Sequence, residues 1–283
     1  MINQQSPFVK KAPSVTWIMM LVMLALIPGI LAYVFLFGIG ILLNLSIAII
    51  TALIAEYLIL RIRNLPIKLF ITDGSAIVAA SLLAISIPSI APWWIIVIGT
   101  LFTIIVAKHL YGGLGSNLFN PAMVGYAVLL ISFPAVMTKW SLPASHLLDF
   151  NLTQQIQIFM YGTKNIIDSV SSATPLDYIK TQIFLNRPFE LNFTNGMPIN
   201  SYFNASIIIS LSFLIGGIFM WVKKIITWHL PVTFLISLTL ISSIFWLIDS
   251  TRYLSPFIHL FSGGTLLCAF FIITDPVSGP TTP

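Results

Sequence analysis

Long apolar runs separated by short polar, glycine- or proline-containing breaks set the pattern of this chain. A membrane-crossing helix needs about 20 mostly apolar residues, within a range of about 17 to 25. Eight segments meet that criterion: Trp17 to Phe37, Ile39 to Leu60, Gly74 to Ile90, Trp93 to Lys108, Pro121 to Met137, Ala205 to Val222, Leu230 to Ile248 and Phe257 to Ile273. Lipid offers no water to satisfy backbone amides, so each is predicted to be helical. Trp17, Tyr57, Trp93, Trp94, Tyr111, Trp140, Tyr202 and Trp221 sit near span boundaries, as interfacial aromatic belts do. The predicted fold is therefore an all-α polytopic membrane protein.

The one sizeable polar segment runs from Lys139 to Asn200 and carries Asp149, Asp168, Asp177 and Glu190. It divides the chain into a first transmembrane half (1–138, five spans), a loop (139–200) and a second half (201–283, three spans). Basic residues orient the spans. With a cytoplasmic N-terminus, the inner segments hold Lys10, Lys11, Arg61, Arg63, Lys68, Lys108, Lys223 and Lys224, while Arg252 alone lies in a short outer loop. Residues 139–200 are then extracytoplasmic. Five crossings before the loop would invert any repeated unit after it. A trace of such a repeat exists: Gly74 opens the third span and Pro88 and Pro92 close it, while Gly263 and Gly264 open the eighth and Pro276 and Pro280 follow. On this expectation a chain ending at Pro283 lacks two helices of its second half.

Composition agrees with a membrane solvent: 58% of residues are hydrophobic and 7% charged, against about 25% charged in soluble domains, and the mean hydropathy is +1.00. The net charge of +5 comes from scattered residues with no basic tract, which points to anionic lipid and away from nucleic acid. The single cysteine, Cys268, permits no internal disulfide or cysteine metal cluster. His109, His146, His229 and His259 lack the paired spacing of a zinc-binding helix and read as interfacial or packing residues. Lys10 and Lys11 precede the first apolar run, yet that run is longer than the apolar core of a signal peptide. It reads as a retained first span.

Few residues are candidates for chemistry. Glu56 is the only carboxylate well inside a span; it reads as an interfacial partner of Arg61 or, more sharply, as part of an ion or proton relay. Asp73 precedes a helix, where capping is expected. The glycines of "YGGLGSN" suit a tight turn or an anion-binding nest, with Asn117 and Asn120 as caps and Pro121 at the first helical position. "NPA" at Asn120 to Ala122 occurs once, where a water channel of that type uses two facing copies. Gly263 and Gly264 serve either tight helix packing or room for a flat ring or an ion. Thr174, in "ATPLD", is followed by Pro175 and by Asp177 three places on, close to a capping box. No nucleophile with an adjacent base, metal-ligand spacing or nucleotide fold is legible, so neither catalytic nor metal-binding residues are assigned.

Taken in order, "DGSA", "YGGLGSNLFNPAMVGYAVLLISFP", "SSATPLD" and "FSGGTLLCAFFIITDPVS" resemble the family of the RnfD protein of Rnf electron-transport complexes, and more loosely the NqrB protein of sodium-pumping NADH:quinone reductases. The resemblance runs along essentially the whole chain. It implies FMN linked through its phosphate to a threonine hydroxyl in an extracytoplasmic segment: Thr174, with Asp168, Ser171, Ser172 and Ala173 completing the recognition pattern. Ser172 stands where that pattern has glycine. The resemblance further implies an ion-translocating oxidoreductase of the bacterial inner membrane, passing electrons between ferredoxin and NAD and coupling them to Na+ or H+ movement. Its partners would be the other members of the complex, including a second flavin-bearing one, and a separate flavin transferase. Family members are expected to have about ten spans in two inverted repeats, against eight here. A channel or permease with a site between the halves, or a truncated scaffolding component without redox activity, are the alternative readings.

Overall fold

The computed structural model describes residues 14–143, 152–161, 171–172, 174–185, 198–250 and 252–279. α1 (Val15–Phe37) starts on Ser14, whose Oγ accepts the Trp17 N–H at 3.3 Å, and stops at Gly38 in a positive-φ conformation. α2 (Gly40–Ile62) returns beside it; a Cβ at Gly40 would stand 2.6 Å from the Ser89 carbonyl oxygen, so glycine permits that approach. A short α3 (Ile67–Ile71) leads into α4 (Ser75–Ser86). α5 (Trp93–Leu101) continues into a π-helical segment, π1 (Phe102–Leu110). α6 (Pro121–Ser132) and α7 (Pro134–Met137) follow.

Next come strand β1 (Trp140–Ser141), α8 (Leu152–Tyr161), strand β2 (Ser171–Ser172) and α9 (Pro175–Phe184). The remaining elements are α10 (Pro198–Val222), α11 (His229–Ile248), α12 (Pro256–Phe261), α13 (Thr265–Leu267) and a second π-helical segment, π2 (Cys268–Ile272).

Among the described residues five helices are long and apolar enough to cross a membrane: Val15–Phe37, Gly40–Ile62, Trp93–Leu110, Ser201–Val222 and His229–Ile248. The other three expected spans are shorter or broken. α4 covers 12 residues of the predicted Gly74 to Ile90, about 18 Å at about 1.5 Å per residue, short of the roughly 30 Å hydrocarbon core. Gly74, in the left-handed region, precedes α4, and the chain is extended at Ile87, as the residue before a proline prefers. The predicted Pro121 to Met137 breaks at Phe133, ahead of Pro134. The predicted Phe257 to Ile273 breaks at Ser262 to Gly264. Such interruptions are tolerated at membrane depth where protein surrounds them, and α4 is well enclosed, with Ala80, Leu83 and Ala84 fully buried.

Two bodies of helices meet along α1 and α10. Small residues set their separation: Gly29 of α1 lies against the Phe213 ring, and Gly216 of α10 against the Ala25 carbonyl. Phe213 then meets Phe271 of π2 edge-on, ring centres 5.9 Å apart. α2, α5 and α6 enclose α4 on the other side. α11 presents Ile236, Leu240, Ile244 and Leu247 outward, the exposed apolar face that suits contact with lipid.

Candidate functional site

Thr174 is held by a short chain of contacts. Asn44 of α2 donates to the Pro88 carbonyl at 3.1 Å, fixing the turn after α4. Ser89 in that turn shares a buried 2.7 Å hydroxyl–hydroxyl bond with Ser141 of β1. β1 pairs antiparallel with β2, Trp140 opposite Ser172 and Ser141 opposite Ser171. Two of the predicted recognition residues thus form the strand that precedes Thr174. Asp168 and Ala173 lie outside the described residues. Thr174 itself is the N-cap of α9, in extended conformation, with Pro175 at the first helical position, as cap chemistry favours. Its Oγ1 accepts the Asp177 N–H at 3.2 Å and donates to Asp177 Oδ2 at 2.8 Å. The capping expectation therefore holds, and a helix N-terminus leaves backbone N–H groups for an anion. Pro175 and Ile179 bury the inner face of α9.

Thr174 stands on the wall of a cavity of about 510 Å³ between the two helical bodies. That falls within the range of about 300 to 1,000 Å³ typical of cofactor and ligand pockets. Tyr33, Tyr126, Trp140 and Tyr202 contribute aromatic wall, and Gly263 and Gly264 belong to the same lining. Nothing is found within 4 Å of the position a Cβ would take at Gly263 or Gly264. Of the two readings open for this glycine pair, the structure thus favours room over packing; tight packing falls instead on glycines such as Gly29, Gly125, Gly216 and Gly217. Gly263 also adopts φ +64°, which side chains resist.

A second cluster lies where α2 ends and α4 begins. Glu56 is fully buried, and its partner is Lys108 of π1 rather than Arg61, which is exposed at the same end of α2. The expectation of an interfacial Glu56–Arg61 pair is thereby corrected: π-helical winding turns Lys108 inward, where α2 supplies its counter-ion. Lys108 Nζ also donates to Ser75 Oγ at 2.8 Å, and Ser75 donates to Asp73 Oδ1 through both its hydroxyl, at 2.5 Å, and its N–H, at 2.7 Å. Asp73 so caps α4 from the residue before Gly74. His109 Nε2 lies 3.5 Å from Glu56 Oε1. Arg63 instead donates to the carbonyls of His109 (3.1 Å) and Gly112 (3.4 Å), clasping the glycine turn after π1. Sequence reasoning singles out Glu56 but not Lys108 or Ser75; a lysine shortly before the glycine turn is the available signal.

Asn120 caps α6 as expected, accepting the Ala122 and Met123 N–H groups at 3.0 and 3.4 Å, and its Nδ2 lies 3.5 Å from the Ile272 carbonyl of π2. Asn117 stabilises the preceding turn through the Phe119 carbonyl instead of capping. Beyond π2, burial raises the Asp275 carboxyl above the usual range, opposed by hydrogen bonds from Ser278 and Val277, because a low-dielectric site disfavours the charged form. Among the described residues no group of three His, Cys, Asp or Glu side chains is arranged to hold a metal ion. His229 stacks on Trp228 at 4.0 Å, and His146 lies outside the described residues. Cys268 is half-buried on the cavity wall.

Comparison with known proteins gives a family. The model of the NQR2, RnfD, RnfE family matches residues 2–283. The D component of the ion-translocating oxidoreductase complex of Yersinia enterocolitica is 46% identical over 296 residues, covering 98% of this chain and 82% of the relative. The proteins of the same name from Cronobacter sakazakii and Shewanella denitrificans are 43% and 44% identical, with 98% of this chain and 83% and 82% of the relatives covered.

Proposed function

This chain belongs to the NQR2, RnfD, RnfE family, and from that premise we propose that it is a membrane subunit of a bacterial Rnf-type ion-translocating oxidoreductase, carrying FMN covalently on Thr174. The observation that carries the cofactor assignment is the position of Thr174, at once a helix N-cap and part of the wall of the aromatic cavity between the helical bodies. When bound, the flavin supplies the reversible redox chemistry that passes electrons between ferredoxin and NAD. The protein supplies placement and electrostatics. The α9 N-terminus offers N–H groups and the positive end of a helix dipole to the phosphate. Tyr33, Tyr126, Trp140 and Tyr202 line the cavity, offering ring contacts and excluding water. Gly263 and Gly264 leave the space in which a ring can lie.

On this reading residues 139–200 face the periplasm of an inner-membrane protein whose N-terminus is cytoplasmic. The electron transfer is coupled to Na+ or H+ movement by the assembled complex, whose other members include a second flavin-bearing protein. A separate flavin transferase loads Thr174. In-gel fluorescence after denaturation tests the assignment. The wild-type band, made with the transferase present, should fluoresce and the Thr174→Ala band should be dark. A fluorescent Thr174→Ala band would refute the site, and a dark wild-type band would favour a channel or scaffolding role.

A further inference from the structure

We infer that Asp177 is the general base for attachment of the flavin to Thr174; the inference rests on the proposed covalent FMN at that residue. The geometry is that of an activated hydroxyl. Thr174 Oγ1 points its proton at Asp177 Oδ2 across 2.8 Å. That lies inside the reach a general base requires. The same Oγ1 receives the Asp177 N–H at 3.2 Å. This occupies one of the two lone pairs of a hydroxyl oxygen. The other remains for attack on phosphorus. One residue therefore takes the proton and fixes the oxygen's orientation.

A cap alone does not need this arrangement. The N–H of the third helical residue satisfies the cap whatever its side chain is, and in a capping box the carboxylate turns back to the cap residue's own backbone N–H. Here the carboxylate engages the hydroxyl instead. Protein kinases use an aspartate in the same way, to accept the proton of the attacking hydroxyl during phosphoryl transfer. Asp177 is exposed, so a proton it receives passes to solvent, and its side chain is open to a second protein.

The step balances with a flavin dinucleotide as co-reactant. The Oγ1–P bond forms to the phosphorus on the riboflavin side, and the anhydride P–O bond to the nucleoside monophosphate breaks. The monophosphate leaves with the electron pair of that bond, and the Oγ1 proton passes to Asp177 Oδ2. No atom is oxidised or reduced. The threonine then bears a singly charged diester beside the helix N-terminus, and repulsion from it turns the exposed Asp177 carboxylate toward water. Among the described residues, the other titratable groups facing Asp177 are Tyr126 of α6 and Tyr202 of α10, with Lys180 one turn on along α9. Neither phenol ionises on the acid side of neutrality.

The test uses the full chain in detergent with purified transferase and flavin adenine dinucleotide, and follows the mass gained on the intact protein from acid to neutral pH. Asp177→Asn should slow attachment by about 10²-fold or more, the lower end of what a positioned base contributes, and should lack the fall in rate that the wild type shows toward acid pH. Asp177→Glu should keep that fall at a reduced rate, and Thr174→Ser should still be loaded. Asp177→Asn loading at close to the wild-type rate, or slowed with its acid-side fall intact, would overturn the inference. Amide exchange along α9 in the Asn variant identifies a slowing that comes from an unfolded helix, in which case the Glu variant's pH profile decides. Mass gain on Thr174→Ala, or none on the wild type, would instead overturn the assignment of Thr174 itself.

Discussion

Glu56 of α2 and Lys108 of π1, far apart in sequence, meet as a buried ion pair whose lysine is also tied to Ser75 at the start of α4. Three helices are thereby joined at one buried point. Removing one partner of such a pair leaves an uncompensated charge and costs about 3 to 5 kcal/mol. Glu56→Gln or Lys108→Met alone should therefore lower the unfolding midpoint in detergent sharply, while the double variant recovers much of the loss. Additive losses in the double variant would show that the two side chains are not coupled.

Gly264 makes the opposite kind of demand, because nothing lies within 4 Å of a Cβ there and its φ of −97° suits any residue. Gly264→Leu should leave stability within about 0.5 kcal/mol, as for substitutions that disturb no contact. Gly264 lines the cavity proposed for the ring, so a leucine there takes up room at its wall. The loaded variant should accordingly show a more mobile flavin, read as lower steady-state anisotropy, with covalent attachment intact. Unchanged anisotropy would place the ring elsewhere.

Much of this architecture is legible in the residues. Hydropathy alone marks α1, α2, α10 and α11, because each is one uninterrupted apolar run. The Thr174, Pro175, Asp177 triplet gives the start of α9, since local chemistry decides a cap. What hydropathy does not register is a break inside an apolar stretch: Gly263, Gly264 and Pro134 are not polar, yet they divide helices that composition treats as spans. Proximity along the chain misassigns the partner of Glu56 for a related reason. Arg61 is its neighbour in sequence, but partners in a helical bundle are set by which helix lies opposite, and π1 rotates Lys108 toward α2. Of the cavity beside Thr174 only the room at Gly263 and Gly264 is legible as an option, because its walls come from residues as distant as Tyr33 and Ile272.

Gly216 of α10 approaches the Ala25 carbonyl of α1 so closely that a Cβ would overlap backbone, which cannot move aside as a flexible side chain does. Gly216→Val should separate the two helical bodies and cost more than about 1 to 3 kcal/mol, the usual penalty for overpacking against movable neighbours. Thermal unfolding beside Gly264→Leu makes the comparison. Equal midpoints for the two variants would mean that α1 and α10 do not set the junction.

Ser141 links the membrane body to the segment that carries Thr174, through its hydroxyl to Ser89 and its backbone to β2. Ser141→Ala leaves the buried Ser89 hydroxyl without that partner, a cost of about 1 to 3 kcal/mol. The loss should be local, because the contact bears on the pairing of β1 with β2 and not on the helical core. Amide exchange at Ser171 and Ser172 should accelerate, with α4 unaffected. Flavin attachment should slow in parallel, since the strand that sets the position of Thr174 would be held less often in register. Faster exchange with unchanged attachment would mean that the transferase orders this segment itself, and that the two-residue strand serves the finished protein rather than its loading.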